Sequence, residues 1–114
     1  MITESLIPKS ITTPIGIVLS KQIGGLSSIT VVAIIMTGII GSVTGPLLRK
    51  TFKIKDKVAV GIAMGASAHA LGTAMSMEIG EIEGAMSGLT MAISGVVAVL
   101  LYPLLWNVVF KIFN

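Results

Sequence analysis

One side chain in this sequence titrates near neutral pH, and it sits where charge is scarce. His69 is the single histidine, inside a run of 20 residues between Lys57 and Glu78 without a formal charge. An unperturbed imidazole titrates near ~6.5, so in an apolar setting it suits the transfer of a proton alongside an incoming carboxylate. Ser67 and Thr73 are the nearest hydroxyls, in a stretch that glycines weaken as a helix, and Gly61, Gly65, His69, Gly72 and Ser76 fall on one helical face. A second polar group precedes a proline: Ser10, Thr12 and Thr13 offer hydroxyls ahead of Pro14. That proline suits the first position of a helix capped by Thr13, and the free N–H groups of such a helix start attract an anion. Lys9 stands beside them as a counter-charge. Each group also has a plainer reading. The ring bonds a neighbouring hydroxyl or carbonyl as a neutral group, the hydroxyls bond back to their own helix carbonyls, and Lys9 snorkels to an interface.

Other chemistry is missing from the pattern. No nucleophile–base–acid constellation, phosphate loop or metal-ligand spacing is present, so the sequence gives no support for an enzyme, a cofactor or a metal. The chain has no cysteine, which excludes disulfide frameworks and Cys-based zinc sites. Aromatic residues make only 4% of the chain, so nucleic-acid binding by base stacking is not supported. The start, residues 1–8, lacks the basic, apolar and small-residue pattern of a signal peptide. Glu81 and Glu83 are expected as solvated turn residues or as a cap for the helix that follows.

The elements that carry these residues are membrane elements. Of 114 residues, 54% are hydrophobic and 11% charged, against about 25% charged in soluble domains. Charge-free runs of 27, 20 and 27 residues follow Lys21, Lys57 and Glu83, each long enough for the ~20-residue helix that crosses a bilayer. The expected fold is an all-α integral membrane domain over residues 1–114, with transmembrane helices at 28–48, 58–77 and 84–110. The charge-free run 10–20 is too short to cross, so residues 1–25 are expected as a re-entrant or broken half-helix. Gly45-Pro46 is expected to end or kink the first span, and Pro103 the third.

Small residues recur at spacings of three and four. Gly38, Gly41 and Gly45 form one ridge, Gly61, Gly65 and Gly72 a second, and Gly84, Gly88 and Gly95 a third, each suited to close helix approach. The segment 49–57 holds five of the eight basic residues, so the positive-inside rule puts it in the cytoplasm. The acidic turn 78–83 is expected outside and the C-terminus, after Lys111, in the cytoplasm. Tyr102 and Trp106 are expected at the membrane interface.

Several stretches together resemble the LrgB/CidB family of bacterial membrane proteins, described as antiholin-like and holin-like. They are Pro8-Lys9-Ser10-Ile11-Thr12-Thr13-Pro14-Ile15, Gln22-Ile23-Gly24-Gly25, Thr37-Gly38-Ile39-Ile40-Gly41 with Gly45-Pro46, Gly65-Ala66-Ser67-Ala68-His69-Ala70-Leu71-Gly72-Thr73-Ala74, and Glu81-Ile82-Glu83-Gly84-Ala85-Met86-Ser87-Gly88-Leu89. They run in the family's order over about residues 6 to 105. The resemblance is to the C-terminal half of proteins about twice this length. It implies a bacterial plasma-membrane protein acting with a small LrgA/CidA-like partner, in control of murein hydrolase activity and lysis. Related bacterial pairs look like pyruvate uptake systems, and the plant member is a plastid glycolate/glycerate transporter.

Two functions of different class follow. The first is a carrier, or half of one, for small monocarboxylates, using His69, Ser10, Thr12, Thr13, Ser67, Thr73 and Lys9. The second is a holin- or antiholin-type protein, able to form homo-oligomers, whose glycine ridges associate helices without a substrate site. A non-functional fragment stands beside them.

Overall fold

The computed structural model describes residues 1–113; Asn114, the last residue of the expected domain, lies outside them. The described chain is all-helical: α1 (Ile2–Leu6), a 3-10 turn (Ile7–Ser10), α2 (Thr13–Gln22), α3 (Ser27–Thr51), α4 (Lys57–Ile79) and α5 (Glu81–Phe113). By length and hydropathy α3, α4 and the stretch Glu81–Val109 of α5 are each able to cross a membrane. The expected spans 28–48 and 84–110 fall inside α3 and α5, whereas 58–77 falls inside α4 but turns back at His69 and so is not one straight crossing. Broad exposed faces of branched residues, such as Val32, Ile39 and Val43 on α3 and Val96, Leu100 and Leu104 on α5, suit lipid.

Local chemistry sets the helix ends. Gly24, at φ 80, ends α2, with the Gly25 N–H donating to the Ser20 carbonyl at 2.7 Å. Lys53 takes the same left-handed conformation after α3, at φ 52, and the Ile54 N–H donates to the Arg49 carbonyl at 3.0 Å. Asp56 caps α4 by accepting from the N–H groups of Val58 and Ala59. The cap of α2 is Thr12, one residue before the expected Thr13, and its side chain makes no capping bond. At the two prolines expected to end or kink their helices, Pro46 and Pro103, the helix does not end, since α3 runs on to Thr51 and α5 past Lys111. Prolines are tolerated in membrane helices where neighbouring groups serve the freed backbone carbonyls.

α4 is not one straight rod. His69 interrupts it with φ 45 and ψ −120, and the chain doubles back there. A Cβ added at Gly72 would overlap the Met64 carbonyl, although eight residues of continuous helix would set the two ~12 Å apart. α5 packs against both arms. Gly65 on the first arm lies against the Ser87 main chain, and Thr73 on the second bonds the Ser87 hydroxyl at 2.9 Å. One turn further, Gly61 meets Glu83 while Met77 meets Gly84. The first arm is therefore parallel to the start of α5 and the second antiparallel to it.

The N-terminal segment makes a comparable reversal from the other end. Buried Ser5 accepts from the Leu26 N–H at 2.7 Å, and Thr30 donates to the Ser5 carbonyl. The chain then turns through extended Ile11 and Thr12 and returns as α2, with Gly16 on Ile34 and Ser20 bonded to Thr30 at 2.7 Å. Ile11, Leu19 and Ala98 form a buried apolar cluster with Ile15 and Tyr102 packed on it. Tyr102 is half-buried against that cluster.

The reversal at His69 overturns the expected order of ends. The guanidinium of Arg49 lies 3.5 Å from the Glu83 carboxylate, which is buried. The basic loop and the acidic turn therefore occupy one end of the molecule. The C-terminal part of α5, with Val99 and Pro103 beside Gln22, lies at the other end, so it does not share the side of the 49–57 loop. Glu83 is correspondingly a buried partner and not a solvated residue, whereas Glu81 is exposed.

The glycine ridges pack inside the chain. Gly38 and Gly41 face Leu71 and Ala68, Gly45 the Met64 sulfur, Gly84 Met77, and Gly95 Ile15. Gly88 departs from expectation: a Cβ there would make only an ordinary 3.9 Å contact with Thr73. Two measurements check this arrangement. Gly65→Ala should destabilise the chain by about 1–3 kcal/mol through overpacking, with Gly88→Ala near neutral, in denaturant titrations in detergent. Single cysteines at Thr51 and Glu81 should react from the same side of the membrane, and one at Gln22 from the opposite side.

Candidate functional site

The two reversals meet. A cavity of about 270 Å³ is lined by Thr12 and Thr13 from the start of α2, by Ile34, Ile35 and Gly38 from α3, and by Ala68, His69, Ala70 and Leu71 from the tip of α4. α3 spans residues 27–51, so residues 34–38 place this cavity near the middle of the span.

His69 dominates the site's chemistry. The residue is 4% exposed, and neither ring nitrogen has a hydrogen-bond partner. The Ser10 main chain lies beside the ring but outside hydrogen-bond geometry. The backbone here is also strained. A left-handed φ on a residue with a Cβ costs on the order of 1–3 kcal/mol and persists only where surrounding packing enforces it. Here that packing comes from α3, whose Gly38 and Gly41 let Ala68 and Leu71 come close. A buried ring with two free nitrogens is prepared to donate to, or accept from, a molecule in the cavity. Across from it, the Thr12 side chain leaves the N–H groups at the start of α2 uncapped, the arrangement that attracts an anion.

Other expected site residues lie elsewhere. Ser10 reaches the site through its backbone only, and its side chain is exposed, as is that of Lys9. Ser67 points away from the cavity and donates to the Ala63 carbonyl at 2.6 Å. Thr73 is below the tip, tied to Ser87 and near the Met91 sulfur. The expected polar cavity is consequently smaller in polar content: two threonines and a histidine among mainly apolar walls. Reasoning from sequence missed the Arg49–Glu83 pair and the buried hydroxyls of Ser5, Ser20, Thr30, Ser76 and Ser87. Ser76 has no hydrogen-bond partner. Of the two roles expected for Glu83, the one at the helix start fits its carboxylate lying over Gly80; its burial and its pairing with Arg49 were not foreseen.

The model of the LrgB-like family matches residues 1–108, which contain every residue of this site. The chain belongs to the LrgB-like family. It is a multi-pass membrane protein of that family, similar to the antiholin-like protein LrgB of Bacillus subtilis (strain 168), with 43% identity over 102 residues. The antiholin-like LrgB proteins of Bacillus mycoides (strain KBAB4) and Bacillus cereus (strain B4264) are each 39% identical over 103 residues. The matches cover 90% of this chain but 44% of the first relative and 45% of the other two. The chain thus spans less than half the length of these relatives. No solved structure shows significant similarity to it.

Strain at His69 gives a test separable from chemistry. His69→Gly removes the backbone penalty and the two unpartnered nitrogens, so it should unfold no earlier than the parent chain on heating in detergent. His69→Ala keeps the left-handed φ and should unfold earlier than His69→Gly.

Proposed function

We propose that the chain is a carrier, or half of one, for small monocarboxylates of the pyruvate or glycolate type. The observation that carries this reading is the buried, unpartnered His69 ring at a strained reversal, facing the uncapped start of α2 near mid-span. Secondary transporters hold substrate near the midplane between interrupted helices, with helix starts aimed at anionic groups. A carboxylate in the cavity would accept from the α2 N–H groups and Thr13, while His69 carries the accompanying proton. The apolar walls from Ile34, Ile35 and Leu71 suit a short carbon chain and disfavour a second charge. The basic loop 49–57 faces the cytoplasm in this reading. A small LrgA/CidA-like membrane protein is the proposed partner, and effects on murein hydrolase activity and lysis follow from the altered carboxylate and proton balance.

The second reading, an antiholin-type association protein without a substrate site, draws on the relatives' name. The packing favours it less, because the glycines that would mediate association are largely occupied within the chain. Uptake of labelled pyruvate into proteoliposomes, with the small partner reconstituted alongside, separates the two. His69→Ala should lower uptake roughly tenfold or more through loss of a charge-assisted hydrogen bond. Absent uptake by the parent, or uptake indifferent to His69→Ala, would reject the carrier reading.

A further inference from the structure

The loop 49–57 and the outward face of α4 take no part in the His69 cavity, yet two further spaces meet there. One is a crevice of about 450 Å³ between α3 and the first arm of α4, walled by Gly45, Leu48, Val60, Ala63 and Met64. The other, about 510 Å³, is lined by Arg49, Lys50, Lys53 and Lys55 with Pro46 and Ile54. Arg49 and Ile54 line both spaces, so an apolar slot opens at its loop end onto four cations. The slot begins at Gly41, and the eight residues from there to Arg49 cover ~12 Å of helix. It therefore runs from mid-span to the end of the span.

The charge in this cluster is largely uncommitted. Among the described residues, Arg49 alone of the four makes an ion pair, with Glu83. The loop's one acidic residue, Asp56, is engaged in capping α4 through its Oδ1. Lys53 holds the left-handed position that ends α3, where glycine is the unstrained choice, so the turn is built around a cation at a cost in backbone ease. The slot itself exists because the outward residues of α4 here are small. Ala59, Ala63 and Ser67 are exposed, where α3 and α5 present branched side chains to lipid.

We infer that this is a binding site for an anionic phospholipid. One acyl chain lies in the crevice between α3 and α4, and the phosphate sits among Arg49, Lys50, Lys53 and Lys55. Basic pockets between helices at the membrane edge recognise acidic headgroups in this way. The apolar slot continuous with the cations selects a lipid over a soluble anion, which would leave the crevice empty. This inference does not depend on the carrier reading.

The test is lipid retention by the purified chain in detergent, read by native mass spectrometry, with thermal unfolding in parallel. Dioleoylphosphatidylglycerol should be retained roughly tenfold or more over dioleoylphosphatidylcholine and should raise Tm, whereas sn-glycerol 3-phosphate should not. Lys50→Gln/Lys53→Gly/Lys55→Gln removes three charges while easing the backbone at residue 53, and should bring the two lipids to equal retention. Ala63→Leu fills the crevice without touching charge, and should weaken phosphatidylglycerol retention with the lipid-free Tm unchanged. Equal retention of both lipids by the parent would overturn the inference. So would undiminished retention by either variant, or stabilisation by sn-glycerol 3-phosphate equal to that by the lipid.

Discussion

A main chain that stops being helical inside a bilayer leaves polar groups that lipid cannot serve, and the reversal at His69 subjects the whole fold to that constraint. Such backbone survives at membrane depth only when enclosed by protein or lining a wet space. The enclosure here is specific. Gly38 and Gly41 bring α3 onto the tip, Gly61 and Gly65 bring α5 onto the first arm, and Gly72 lets the two arms close on each other. Small residues are thus concentrated around the break because the break needs neighbours at backbone distance. The lipid-facing surfaces of α3 and α5, free of that demand, are branched and bulky.

Seen from α3, the chain is two similar halves entering from opposite ends. Each half begins with a segment that penetrates part-way, turns and returns as a ten-residue arm or helix before a long helix follows. Each return is fastened to its long helix by a pair of buried hydroxyls: Ser20 to Thr30 in the first half and Thr73 to Ser87 in the second. The turns themselves differ. The first is an extended pair, Ile11 and Thr12, while the second is one strained residue. Broken elements presented from opposite ends to a common mid-depth space suit a site that is reached from either side in turn. The Arg49–Glu83 pair ties the end of α3 to the start of α5 on one side of that space.

The legible part of this fold was the part governed by hydropathy and length. The long helices, the short N-terminal element and the internal use of most glycines follow from runs and spacings that any lipid-embedded helix must satisfy. Thr12, Thr13 and His69 do line one cavity, since polar groups at depth need a shared space. The hairpin was not legible. The sequence around Ala68, His69 and Ala70 carries no proline, and no glycine at the turning residue, so nothing local marks a left-handed φ. Its cause is tertiary, in the packing of α3 and α5. The same omission misplaced Glu83 and the C-terminal end of α5, because a positive-inside count assumes that each long apolar run crosses once. Ser67 and Thr73 were misassigned for a related reason: a reversal between them sends neighbours in sequence to different surroundings.

α5 is longer than its surroundings require. Its charge-free run 84–110 has 27 residues, ~40 Å of helix, against a hydrocarbon core of ~30 Å. Hydrophobic mismatch of this size is relieved by leaning or by local thickening of the bilayer. α3 has less to accommodate, with 25 residues, so the two helices answer to bilayer thickness unequally. Because α5 grips Thr73 near one end and Ile15 further along, any change in its lean is transmitted to both returning segments.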